Sequence, residues 1–381
     1  MQAQQVPAYP AVSLPLDLSR PAQNWRWFAR NVLIPFAYTR ALLLFAGWFA
    51  ITWLPSARAV GWNKPTSWTA INMWARWDSG WYLSIAKYGY HFIPNAQCNI
   101  AFAPLYPLLM RVGGWRGGGS DSAFYIAGIV IANIFLLVGV AELVALIQSE
   151  GYDEITGNRA AWSLLLFPTS LFFSAAYPMS LFLALAIMSF SAARKNRWSN
   201  AGLLLGLATL ARPDGVLLGV GLAAEYFHQH KLALKRDILW LACGPAAILG
   251  WMAYQWRNFG SPLSFVAVQK IWGYYTLSDL LHSPSGWVQL VGPALFAVLI
   301  FIGIWNLRPC YSFFVIVMFG VMLASPRYCS LARYIIVLFP AYMMLAIIGR
   351  RWRMVHRIYM VLAMLLSMLC MTRFALCLWL A

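Results

Sequence analysis

The chain has 381 residues, of which 61% are hydrophobic and only 10% charged, with a mean hydropathy of +0.65 and a formal net charge of +17. This composition excludes an ordinary soluble domain and points to an all-α integral membrane protein whose solvent is mostly lipid. The positive excess, which in a soluble chain would suggest nucleic acid, falls in short loops between apolar runs; it reads as topology, and no nucleic-acid partner is expected.

Residues 1–32 begin polar, carry no secretory cleavage pattern, and read as a cytoplasmic segment before a first span that remains as an anchor. Apolar stretches long enough to cross a bilayer, or nearly so, occur at roughly 33–54, 122–147, 160–176, 179–194, 199–213, 215–228, 236–257, 286–306, 310–325, 334–349 and 356–378. About eleven transmembrane helices in one domain, 1–381, are therefore expected. With the N-terminus inside, the inner loops collect dense basic clusters: Arg194, Lys195 and Arg197; Lys231, Lys235 and Arg236; Arg350, Arg351, Arg353 and Arg357. The first outer loop, 55–121, is the longest, and its "SWTAINMWARWDSGWYLSIAKYGY" reads as amphipathic helices suited to the membrane interface. The six cysteines show no metal-ligand spacing, so no metal is expected. Cys98 and Cys329 fall on the same outer side, a placement compatible with a disulfide that spacing alone does not establish.

Only eleven acidic residues exist, and this topology leaves Asp78, Asp121, Asp214 and Asp279 on the outer side. Asp121 and Asp279 read as turn or cap residues. Asp214 stands with Arg212 at a Pro-broken apex, "ARPDG", where an internal ion pair is the simpler account. Asp78 lies in "RWDSGWYLSIAKYGY". It is either the N-cap of the helix that begins at Ser79 or a carboxylate desolvated by aromatic rings and so a better proton acceptor from a hydroxyl. The second is the stronger reading.

These residues, followed by "NIAFAPLYPLL", "FPTSLFFSAAYPMSLF", "ARPDG", "FGSPLSFVAVQKIW" and "SLARYIIVLFP", resemble the prokaryotic branch of the PIG-V-type mannosyltransferases, over roughly residues 70–345. The resemblance implies a GT-C-type glycosyltransferase fold in a prokaryotic inner membrane, with its active site facing outward. It implies an inverting transfer of a sugar, typically mannose, from a polyprenyl-phosphate carrier to a glycolipid, glycan or protein acceptor. It maps the early-loop acid onto Asp78 and a late Arg-Tyr pair onto Arg333 and Tyr334. Two departures stand out: where Tyr-Thr-Glu-Ser is expected the chain reads Tyr177, Pro178, Met179, Ser180, and where two Phe precede a Pro it reads Phe102, Ala103, Pro104.

The residues agree with a lipid-linked donor, since the chain has neither a Gly-rich phosphate loop nor an Asp-x-Asp metal site. Lone outer cations (Arg212, Arg257, Lys270, Arg327 and Arg333) form the pool for phosphate ligands, with Arg333 foremost and Lys270 or Arg212 assisting. Trp77, Tyr82, Asn99, Tyr106, Tyr177, Asp214, Gln269, Trp272 and Tyr334 complete the substrate-contact candidates. For Trp272 an interfacial anchor, and for Asn99 a helix cap, are the plainer alternatives. Arg40 and Glu142 read as paired or snorkelling residues. The scheme requires no cofactor. A flippase of lipid-linked sugars and a non-catalytic partner subunit are the rival readings; the first predicts two related halves and charge at the midplane, and neither is visible in the sequence.

Overall fold

A computed structural model describes residues 25–54, 66–272, 277–283, 286–324, 330–378 and 380, apart from the side chains of Trp272 and Leu277. The N-terminal segment before Trp25, the start of the first outer loop, Arg327, and Cys329 with its pairing to Cys98 lie outside these residues.

Among the described residues the regular structure is helical. Helices of ten residues or more run α1 Trp25–Trp53, α2 Ser79–Tyr88, α3 Leu105–Arg116, α4 Asp121–Ser149, α5 Glu154–Leu165, α6 Met179–Arg194, α7 Trp198–Ala211, α8 Leu218–His230, α9 Cys243–Phe259, α10 Gly286–Asn306, α11 Pro309–Ala324, α12 Phe339–Arg351 and α13 Arg353–Ala375. Local chemistry sets many of the ends. Ser120 and Asp153 cap α4 and α5 by accepting from Ala123 N–H and Thr156 N–H. Gly89 (φ +86°) and Gly260 (φ +79°) terminate α2 and α9 in backbone conformations that other residues rarely adopt.

Each of the eleven apolar stretches contains a helix, but several are shorter than a full crossing. Among the described residues, five helical segments are long and apolar enough to span a membrane: α1, α4, Arg236–Phe259, α10 and α13; the bent pair Leu331–Val337 and Phe339–Arg351 makes a sixth. Helices α6, α7, α8 and α11 have only 13 to 16 residues, about 20–24 Å against a hydrocarbon core of about 30 Å. For α6 the reason is position: 14 of its 16 residues are buried, so it faces protein rather than lipid. It packs between α4 and α7, while α8 packs on α11 and α13 on α1. Small residues permit the close approach, as at Gly221, where a Cβ would lie 2.7 Å from the Cys310 carbonyl oxygen.

Two runs expected as single spans are broken. The stretch 160–176 divides into α5 and a 3-10 turn, Ser170–Phe173, with Pro168 between them. Arg40, reaching from α1, donates to the carbonyls of Leu165 (2.7 Å) and Ser170 (3.2 Å) and to Ser174 Oγ (3.0 Å). Its expected structural role is thus to satisfy backbone oxygens that the break releases. The stretch 334–349 bends by 74° between Val337 and Phe339.

The helices of the first outer loop are amphipathic, as the sequence indicates. α2 buries Ser79, Tyr82, Ile85 and Ala86, and α3 buries Tyr106, Pro107, Met110 and Gly114, one face in each case.

At one end of the bundle the basic residue closing α6, Arg194, pairs with Glu150 and Glu225; Arg308 also reaches Glu225, and the Tyr311 hydroxyl donates to Glu150. These residues come from the ends of α4 and α6, from α8 and from the start of α11, and Arg194 belongs to a basic cluster read as inner. At its other end α6 begins with Met179, beside Arg212 and Asp214. The two charged clusters are therefore about 24 Å apart along one helix. Replacing Arg194 by Met leaves Glu150 without its cation in a nearly closed site and is expected to cost about 3 kcal/mol, read as a fall in melting temperature of the detergent-solubilised protein; an unchanged melting curve would contradict the clamp.

Candidate active site

The tight turn at Arg76–Trp77 sets the geometry. Trp77 has φ +53°, a left-handed conformation that costs a bulky residue about 1–2 kcal/mol. The turn leaves Asp78 at the first position before α2. In that place Asp is the usual N-cap, yet its side chain makes no capping bond. Instead Asp78 Oδ2 accepts from Arg333 Nη1 at 2.7 Å, across 255 residues of sequence.

Arg333 is held from several sides. It sits in the short turn Leu331–Tyr334 that precedes the 74° bend. The preceding residue, Ala332, is fixed at both backbone groups: its N–H donates to Gln289 Oε1 (2.8 Å) and its carbonyl accepts from Thr169 Oγ1 (2.8 Å). The guanidinium lies 5.2–5.6 Å from the ring centroids of Phe172, Tyr177 and Tyr334. Its Nη2 makes two long bonds, to Ser330 Oγ (3.3 Å) and Tyr334 Oη (3.4 Å), and its buried Nε has no hydrogen-bond partner among the described residues.

A second cation shares the site. Arg212 ends α7, and the turn Pro213–Leu217 brings Asp214 back onto it in a forked pair, with Nε to Oδ1 at 3.0 Å and Nη2 to Oδ2 at 2.6 Å. Gly215 is required there, since a Cβ would stand 2.6 Å from the Ala208 carbonyl oxygen. Arg212 also lies 5.3 Å from the centroid of Tyr334, so the one ring touches both guanidinium groups. Its remaining Nη1 rests on the Met179 thioether at 2.9 Å. Met179 occupies the position where the resemblance leads one to expect Glu. In this chain Arg212 thus meets a weak sulfur acceptor in place of a carboxylate.

The cluster is sheltered but open. The side chain of Arg333 is 5% exposed, that of Asp78 15% and that of Asp214 26%. Trp77 beside them is 38% exposed, and a Cβ at Gly80 would meet nothing within 4 Å, so the first turn of α2 borders free space. Burial, reinforced by the Asp78 carboxylate, raises the phenols of Tyr82 and Tyr177 well above their ordinary range; both remain neutral hydroxyls at physiological pH.

The structure gathers Asp78, Arg333, Arg212, Asp214, Tyr334, Tyr82 and Tyr177 into one locus. Tyr177 and several other candidates have roles different from the substrate contact expected of them. Asn99, read as a hydroxyl-orienting residue, is fully buried with its amide engaged: Oδ1 accepts from His91 N–H (2.9 Å), and Nδ2 donates to Gly89 O (2.9 Å) and Ser84 Oγ (3.1 Å). It pins the loop after α2. Tyr106 is also fully buried, edge-on to Tyr82 in the core, and so supports the site from behind. Tyr177 is 1% exposed, with its hydroxyl on backbone groups, accepting from Asp78 N–H (3.1 Å) and donating to Arg76 O (2.9 Å). For these three, burial removes the direct substrate contact that was expected. Lys270 is exposed on the turn Lys270–Trp272 and, among the described residues, pairs with none of the cluster; Gln269 reaches Ala101 O at 3.5 Å. Of the side chain of Trp272 nothing is described. Gln289 and Thr169 went unread, although a buried Gln in an apolar span and the "FPTS" motif were both visible signals.

A many-helix membrane protein with a sheltered cluster of two carboxylates and two guanidinium groups at the end of the bundle opposite Arg194 is the class that this architecture defines. Residues 61–240 match the family described as Mannosyltransferase (PIG-V). The matched segment, a little under half of the chain, contains Asp78, Tyr177, Arg212 and Asp214; Arg333 lies beyond it. A GPI mannosyltransferase 2 from Chaetomium globosum is 29% identical over 44% of this chain and 41% of its own length. The chain thus aligns with about two-fifths of that relative. Among solved structures, ArnT from Cupriavidus metallidurans bound to undecaprenyl phosphate superposes over 90% of this chain and 76% of its own, with a TM-score of 0.49 and 15% identity. The Archaeoglobus fulgidus oligosaccharyltransferase tethered to an acceptor peptide covers 90% of this chain and 56% of its own, with a TM-score of 0.46 and 12% identity.

Because Asp78 and Arg333 pair directly, Asp78→Asn and Arg333→Gln are each expected to lower the melting temperature, and the double variant to lose less than their sum, with a coupling of about 3 kcal/mol. Additive losses in a thermal-melt cycle would contradict it.

Proposed function

We propose that the protein is an inverting GT-C-type glycosyltransferase that moves a sugar, mannose in the first instance, from a polyprenyl-phosphate carrier to an acceptor hydroxyl on the non-cytoplasmic face. The observation that carries this reading is the Asp78–Arg333 ion pair with Arg212 on the other contact of Tyr334: one carboxylate able to take a proton beside two guanidinium groups able to hold a phosphate. The family match supports sugar transfer, and specifically mannose. The basic inner-loop residue Arg194 closes the end of α6 opposite the site, which supports an outward-facing placement.

The chemistry follows from the charges. A polyprenyl-phosphate sugar is a phosphodiester with one negative charge, and its leaving group is a monoester that gains a second. The phosphate engages Arg333 through the unused Nε and the long-bonded Nη2, and Arg212 through the Nη1 now resting on sulfur. As Arg333 turns to phosphate, Asp78 is freed. Its carboxylate removes the proton of the acceptor hydroxyl while that oxygen bonds to the anomeric carbon and the carbon–phosphate-oxygen bond breaks on the opposite face. Preorganised positive charge at the departing oxygen supplies much of the rate. Trp77 and Tyr334 flank the sugar, and Asp214 keeps Arg212 oriented.

The scheme uses no metal ion. Chelation by EDTA is accordingly expected to leave the rate unchanged, and a loss restored by a divalent cation would revise the mechanism. Purified protein given polyprenyl-phosphate mannose and a panel of glycolipid and peptide acceptors should yield a mannosylated product by mass spectrometry. Asp78→Asn should lower kcat by about 10²- to 10⁴-fold while binding polyprenyl phosphate at least as tightly, because Arg333 then lacks its counter-ion. A folded Asp78→Asn enzyme at full rate would end the assignment.

A further inference from the structure

We infer that Tyr177 is the positioning residue of this site: its hydroxyl latches the left-handed turn at Trp77 and so aims the Asp78 carboxylate. The single oxygen bridges the two peptide groups on either side of residue 77, donating to Arg76 O at 2.9 Å and accepting from Asp78 N–H at 3.1 Å. Among the described residues of α2 and its approach, positive φ occurs otherwise only at Gly89 at the far end, so the strain is localised at Trp77. Strain of this kind persists only where surrounding contacts enforce it.

The ring is immobilised as well. It is 1% exposed and packs edge-on against Phe172 at 5.2 Å and Tyr82 at 6.0 Å between centroids, with Phe374 tilted against it at 6.5 Å. The Arg333 guanidinium sits 5.3 Å from its centroid. One side chain therefore touches the backbone of the carboxylate and the face of its cation. Arg333 has independent supports at Ala332, through Gln289 and Thr169. On the Asp78 side the carbonyls of Arg76 and Asp78 are also held, by Ser79 and by the Trp81 and Tyr82 N–H groups, but the Asp78 N–H itself donates to the Tyr177 hydroxyl. Without the phenolic bridge Trp77 relaxes toward negative φ, the 77–78 peptide rotates, and the carboxylate moves while the guanidinium stays.

The kinetic part of the test rests on the glycosyltransfer reading. Tyr177→Phe keeps the packing and removes only the hydroxyl. It is expected to lower kcat by about 10- to 100-fold, with donor KM within about 3-fold of wild type because both arginines are untouched. Glycine adopts φ +53° without strain, so in a Trp77→Gly background, whatever that variant's own activity loss, Tyr177→Phe should change kcat by less than about 3-fold. Hydrogen exchange provides a readout without turnover: the segment 76–79 should exchange at least about 10-fold faster in Tyr177→Phe, since the Asp78 amide loses its acceptor. Full activity of Tyr177→Phe, an equal loss in both backgrounds, or unchanged exchange at 76–79 would overturn the inference. A wild-type protein with no turnover would overturn the glycosyltransfer reading instead, and exchange would still decide the latch.

Discussion

A carboxylate and a guanidinium from opposite thirds of the chain meet at 2.7 Å in a site where neither is more than 15% exposed. Withdrawing such charges from water costs several kcal/mol per ion unless each finds close partners, and much of the architecture at this end of the bundle supplies them. The left-handed Trp77 delivers Asp78; the bend before α12 delivers Arg333; aromatic faces of Phe172, Tyr177 and Tyr334 surround the cation. Both helix breaks serve this arrangement. The one after α5 provides Thr169 and Tyr177, and the oxygens it releases are taken by Arg40, a buried cation far in sequence from the chemistry.

The helices were largely legible because lipid burial leaves long apolar runs, and each such run contains a helix. Broken spans were not legible: a run of about sixteen apolar residues reads the same whether it crosses the bilayer or folds back inside the bundle, and only the buried partners of Leu165 and Ala332 tell the difference. Asp78, Arg212 and Asp214 could be chosen because charge is scarce in this chain. Aromatic residues are plentiful, so Tyr106, Tyr177 and Tyr334 could not be sorted into core, scaffold and contact from sequence alone. Asn99 shows the same difficulty for polar residues, since nothing local reveals that its amide is engaged by the His91 and Gly89 backbones.

Met179 gives the departure from the family pattern a physical meaning. A carboxylate at that position would oppose Arg212 directly, whereas a thioether leaves one guanidinium N–H on a weak acceptor. The site consequently has cationic hydrogen-bonding capacity in reserve on both arginines, at Arg212 Nη1 and Arg333 Nε. Reserve donors in a sheltered, low-dielectric pocket favour an anion with several oxygens, such as a phosphate, over a single carboxylate.

The central claim is that a lipid phosphate competes with Asp78 for Arg333. Its most direct measurement is a cryo-electron-microscopy structure of the protein in nanodiscs loaded with polyprenyl phosphate. The account requires phosphate oxygens within about 3 Å of the Arg333 and Arg212 guanidinium nitrogens, and an Asp78–Arg333 separation opened beyond its present 2.7 Å. A phosphate bound away from both arginines, with the ion pair still closed, would contradict it.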